Sequence, residues 1–165
     1  MNPRLDALKR QIADAFADVP YPGDDHLVDD PFDWEAAELL ACFKGRHWKE
    51  LSYEDLFQNS LSFVGLEAFS FYLPAYLYAA LDDYKHLTTH VVFGLCPNAP
   101  EADAELLQWQ LRRYDRLDAR QRHAVRSFLE YVRDEKRNYF LDAEEIRDAL
   151  QRYWARDPSC GGAEP

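Results

Sequence analysis

Basic side chains are scarce in this 165-residue chain: 19 lysines and arginines stand against 30 aspartates and glutamates, a net charge of −11. That balance excludes sequence-independent nucleic-acid binding, which needs a dominant basic surface. The three cysteines, Cys42, Cys96 and Cys160, are far apart and odd in number. No C-x-x-C pair or zinc-finger spacing occurs, and free thiols in a reducing cytosol account for them. Also lacking are a G-x-S-x-G elbow, a Walker loop and a G-x-G-x-x-G turn, which removes the commonest hydrolase and nucleotide-binding signatures. The opening MNPRLDALKRQIADAF has no continuous apolar run, so it does not read as a secretory signal. There is no internal repeat and no long low-complexity segment.

What the chain does have is apolar material: 47% of residues are hydrophobic and 15% aromatic. This suits one domain with a sizeable core and argues against disorder. The densest stretch is 61–81, LSFVGLEAFSFYLPAYLYAAL. On a helix, Leu66, Phe69, Leu73, Tyr76, Leu77 and Ala80 share one side, while Phe63, Phe71 and Tyr78 lie elsewhere. A helix apolar all round is buried, in a core or in a bilayer. A span needs about 20 apolar residues, but Glu67 near mid-bilayer would cost about 2.5–3.5 kcal/mol. The flanks carry Asp55, Asp82 and Asp83 and no basic cluster. The stretch is therefore expected at the centre of a water-soluble domain, with no membrane association. Pro74 cannot donate to Ser70 and disfavours helical geometry at Leu73. A kink, or two short helices meeting near Leu73–Pro74, follows.

Other elements follow from caps and periodicity. Asn2-Pro3 starts a helix with Leu5, Leu8, Ile12, Ala15, Phe16 and Val19 at helical spacing, ending near Asp18. Residues 35–43 form a second, with Gly45 placed for a left-handed C-terminal turn. Ser52 and Asp55 resemble a capping box. Residues 82–95 contain Thr88, Thr89, Val91, Val92 and Phe93, which favour strands; helix is expected because the surroundings are helical. Asp103 caps a helix with a Leu106, Leu107, Leu111, Tyr114 stripe. Asp118 opens one with Val125, Phe128, Leu129 and Val132, and Asp142 one with Ile146, Ala149, Leu150, Tyr153 and Trp154. The expected fold is all-α: a single-domain irregular bundle of about seven or eight helices around a buried, proline-kinked central helix, spanning 1–156, with a disordered tail at 157–165.

Three segments, YPGDDHLV at 21–28, FKGRHWKEL at 43–51 and the central stretch, together resemble a family of small, functionally uncharacterised bacterial proteins classed as a domain of unknown function. In that family the central segment commonly reads like L-S-F-L-T-P-E-A-F-x-Y-Y-L-P-A-Y-L. The resemblance extends over most of the chain, departing at Val64-Gly65-Leu66, where a leucine and a Thr-Pro capping pair are usual. It implies a cytoplasmic bacterial protein and brings no activity, substrate or catalytic residue.

Three constellations could carry chemistry. Asp82, His86 and His90 lie at i, i+4 and i+8; on one continuous helix they would share a face and could hold zinc or another transition metal. No H-E-x-x-H base accompanies them. The second is the run from 18 to 38, which holds eight carboxylates and no lysine or arginine. Asp24, Asp25, Asp29, Asp30 and Asp33 could hold Mg²⁺ or another hard cation, but glycine is missing from the sixth position of an EF-hand. The interleaved Tyr21, Leu27, Val28, Phe32 and Trp34 mark an ordered loop. It could pair with Lys44, Arg46, His47 and Lys49 or stand open as an acidic recognition face. The third is the arginine set Arg112, Arg113, Arg116, Arg120, Arg122, Arg126, Arg133 and Arg137, which could bind phosphate or carboxylate but is read first as a solvated, salt-bridged face. Trp109 falls about 60° off its helix stripe at 100° per residue and reads as rim packing. Cys42 reads as a small buried hydrophobe.

Two functions are therefore weighed. The first is a non-catalytic, cytoplasmic, acidic module that needs no cofactor and holds a basic partner protein through Asp24, Asp25, Asp29, Asp30 and Asp33, in the manner of an immunity protein or antitoxin. The second is a metal-dependent hydrolase-like enzyme using Asp82, His86 and His90 or the loop aspartates.

Overall fold

Asn2 and Pro3 begin the chain as their chemistry dictates. The Asn2 side chain accepts from the Arg4 and Leu5 amides, and Pro3 takes the first position of α1 (Pro3–Ala15), whose Leu8, Ile12 and Ala15 are buried. Asp33 caps α2 (Trp34–Phe43) in the same way. Gly45, at φ +70°, then turns the chain. A 3₁₀ turn over Trp48–Glu50 follows, closed by reciprocal bonds between His47 and Glu50. The Ser52–Asp55 capping box opens α3 (Tyr53–Gln58). Next come a 3₁₀ turn at Leu61–Phe63, α4 (Phe69–Asp82) and α5 (His86–Leu95). The chain continues through α6 (Ala104–Asp115), α7 (Ala119–Glu135) and α8 (Ala143–Ala149), which widens into a π-helical turn at Leu150–Trp154.

This computed structural model describes residues 2–83, 86–97, 103–135 and 141–155. Among them there are eight α-helices and no strand, an all-α irregular bundle. The expected tail at 157–165 lies outside the described residues, as does most of the proline-flanked break after Pro97. No described helix is long and apolar enough to cross a membrane.

The oily stretch is the centre. Phe69, Leu73 and Leu77 are wholly buried, and α4 packs against α1, α3, α5 and α7. Its helical part is shorter than the apolar run. Residues 61–63 make a separate 3₁₀ turn, and α4 starts only at Phe69, then runs through Pro74 as one helix. The interruption thus falls at Val64–Ala68, not at a junction of two helices near Pro74. Ten of the fourteen α4 residues are buried, and that packing outweighs the one backbone bond that proline forfeits. Tyrosines suit this helix because each carries its hydroxyl out to a neighbour's backbone. Tyr76 donates to Asn59 O at 2.5 Å, Tyr78 to Lys9 O at 2.6 Å, and Tyr72 lies 2.9 and 3.1 Å from the Arg46 and Phe43 carbonyls. The ring stays in the core and the oxygen is satisfied.

Residues 86–95 are helical despite their strand-forming side chains. The Asp83 carboxylate accepts from the Leu87 and Thr88 amides, and the Thr88 hydroxyl donates to Ala80 O at 2.7 Å. Local capping decides against the intrinsic preference. On α6 the expected stripe is buried only toward its C-terminal end: Tyr114 is buried and Leu111 packs against the core, but Leu106 is 49% exposed, and Arg113 is buried beside Tyr114.

Candidate functional site

Helices α2, α3, α5 and α6 enclose a groove of about 470 Å³. Seven large apolar side chains are exposed among the described residues, and four of them, Trp34, Phe57, Phe93 and Leu106, line this one groove. Their source is the helix geometry just described. Trp34 is the first residue of α2, directly after the Asp33 cap, and it is 68% exposed. Phe57 is the penultimate residue of the short α3, where it stacks on Tyr53 and on His90 of α5, at ring separations of 5.9 and 6.5 Å. Glu35 and Glu38, both exposed, add carboxylates to the same wall. Phe32, 95% exposed, stands just before α2.

Arg113 belongs to this groove too, and only 2% of it is exposed. Its guanidinium is layered between the Phe69 and Trp109 rings, at 4.2 and 4.3 Å from their centroids. Nη2 donates to Leu61 O at 2.5 Å, while Nε has no partner. No carboxylate lies within ion-pair distance of it among the described residues. Burial pulls its pKa down to about 10, opposed by the field of its surroundings, including Asp29. It remains a cation at neutral pH.

The loop aspartates are brought together less than their spacing suggests. Asp24 accepts from the Tyr21 hydroxyl at 2.5 Å and stands 3.8 Å from Lys44. Asp30 accepts from the Phe32 amide, and Asp33 is the α2 cap. Asp25 is exposed. Asp29 reaches furthest: Oδ1 accepts from the Leu66 amide at 2.8 Å and Oδ2 from the Trp109 indole at 3.1 Å. Of the basic segment at 44–49, only Lys44 meets the loop in an ion pair. Arg46 pairs instead with Asp55 at 2.9 Å. That bond, with the Ser52 amide, holds the Asp55 carboxyl well below its usual range.

Asp82, His86 and His90 do not lie on one helix. Asp82 is the last residue of α4 and pairs with Lys9 at 2.5 Å. The histidines belong to α5, where both rings flank Phe57. No group of three or more His, Cys, Asp or Glu stands in a metal-holding arrangement among the described residues. Cys42 is only half-buried: its Sγ lies 3.4 Å from Asp55 Oδ1, and burial pushes the thiol pKa up.

Trp34, Phe57 and Phe93 were not singled out from the sequence as site residues, and Arg113 stood there only as one of the arginine set. One signal was available, since Trp109 and Arg113 are four apart and so one helical turn from each other. No curated protein and no solved structure matches the chain. A family model does, over residues 4–158, which is nearly the whole length. The chain belongs to the family of unknown function DUF6714.

Proposed function

We propose that the chain is a non-catalytic, cytoplasmic bacterial binding module that holds a basic partner protein, as an immunity protein or antitoxin does. The observation that carries this reading is the convergence of Trp34, Phe57, Phe93 and Leu106 on one groove walled by Glu35 and Glu38. Clustered exposed apolar surface marks interaction sites, and aromatic anchors supply most of the binding energy where they are desolvated. The occupant that fits is a segment with apolar anchors and lysine or arginine for the two glutamates. A net charge of −11 would speed encounter with such a partner and weaken that help at high salt.

The test uses tagged wild-type protein and a Trp34→Ala/Glu38→Lys variant as baits, after circular dichroism shows both folded. The expected result is a protein of basic composition that wild type retains and the variant loses, and that rebinds wild type when both are purified. Equal retention by the two baits would refute the reading. Glu38 and Trp34 are the right probes because Asp29 and Asp33 also hold the fold.

A further inference from the structure

Arg113 is the least expected feature of the groove. A buried guanidinium ordinarily meets a carboxylate, because an unpaired buried charge is costly. Here stacking on Phe69 and Trp109 and one backbone carbonyl stand in its place, and Nε has no partner. Asp29, the carboxylate whose field reaches it, is turned to the Leu66 amide and the Trp109 indole with its two oxygens. The cation therefore sits at the base of an apolar groove with hydrogen-bonding capacity unused.

We infer that the groove is read at its base by a carboxylate: the basic segment that fills it brings one carboxylate side chain onto Arg113. This rests on the docking reading above. A carboxylate fits better than a phosphate. It is planar, matching the guanidinium fork, and it carries a single charge past Glu35 and Glu38. The segment is thus amphoteric, with cations at the glutamate wall and one anion at the base, the apolar anchors between.

Three fragments separate the two ideas: 3-phenylpropionate, its neutral isostere 3-phenylpropionamide, and the cation 3-phenylpropylamine. Each is titrated into ¹⁵N-labelled protein at millimolar concentration, following the Trp109 indole and Arg113 Nε–H signals. The propionate should bind about tenfold tighter than the amide, the gain expected of a charge-assisted bond, and should move both signals. Arg113→Met, if folded, should bring the two affinities together; if it does not fold, the acid–amide comparison on wild type decides alone. Equal affinity of acid and amide, or acid binding that leaves both signals unmoved, overturns the inference. In that event, amine binding at Trp34 and Glu38 would leave the docking reading standing.

Discussion

Asp29→Ala is expected to unfold at lower temperature than its exposed position suggests. A surface aspartate replaced by alanine ordinarily changes stability by less than about 0.5 kcal/mol. Asp29, however, joins three separated parts of the chain: the acidic loop, the Leu66 amide ahead of α4 and the Trp109 indole of α6. A hydrogen bond to a charged group is worth about 1.5–3 kcal/mol when shielded, and exposure places both of these at or below the low end. The sum is about 2 kcal/mol. For a chain of this size that is a fall of about 4–8 °C in melting temperature. Asp29→Asn keeps one carbonyl oxygen for two donors, so it should fall part of the way. Trp109→Phe keeps a ring over Arg113 but removes the indole N–H. A double-mutant cycle of Asp29→Ala with Trp109→Phe should give a coupling of about 0.5–1 kcal/mol. If Asp29→Ala melts within about 1 °C of wild type, or the cycle shows no coupling, the loop is not anchored as described.

Two further outcomes follow from the same geometry. A Cβ at Gly65 would stand 2.9 Å from the Val28 carbonyl carbon, whereas at Gly94 it would meet only the Leu61 side chain at 3.3 Å. Gly65→Ala should therefore lower stability by about 1–3 kcal/mol in urea unfolding and Gly94→Ala by much less; equal midpoints would contradict this. The Asp55 carboxyl is held well below the usual carboxylate range, chiefly by Arg46 and the Ser52 amide. A depressed pKa in the folded state contributes stability that is present above the unfolded value and lost as pH falls toward the folded one. The stability gap between wild type and Asp55→Asn should thus be full at pH 6 and shrink below about pH 4; a gap unchanged at pH 3 would count against the ion pair.

Most of the fold was legible because it is local. Asn2-Pro3, Asp33, Ser52–Asp55, Asp103 and Asp142 act where their types and spacing place them, and the Val125, Phe128, Leu129, Val132 stripe is buried as periodicity requires. The interruption of the central stretch was not legible in the same way. Proline announces a break at 74, but the chain breaks earlier, at 64–68. There Gly65 lies against Val28 and donates to Leu27 O at 2.8 Å, a contact set by a loop some forty residues upstream. Proline's effect is a local preference, and the burial of α4 on several sides outweighs it.

The site was less legible because it depends on reversals between neighbours. Periodicity assigned Leu106 to the inside and Arg113 to the solvated arginine face; the structure exposes the leucine and buries the arginine. Leu106 and Arg113 are seven residues apart and so share a face of α6. The buried residues of α6, Arg113 and Tyr114, lie in its last turn, where the Phe69 and Trp109 rings cover the guanidinium, while Leu106 stands in the first turn beside the groove. Part of the acidic run also serves the fold. Counting carboxylates from 18 to 38 suggests an open charged face, yet Asp30 and Asp33 bond amides close by in the chain and Asp29 two distant groups. Asp25 is exposed, and charge remains on the surface. Glu35 and Glu38 on α2 are exposed, next to the outward-facing Trp34. Folding and groove thus meet at α2, where Asp33 caps the helix and Trp34, Glu35 and Glu38 after it line the groove.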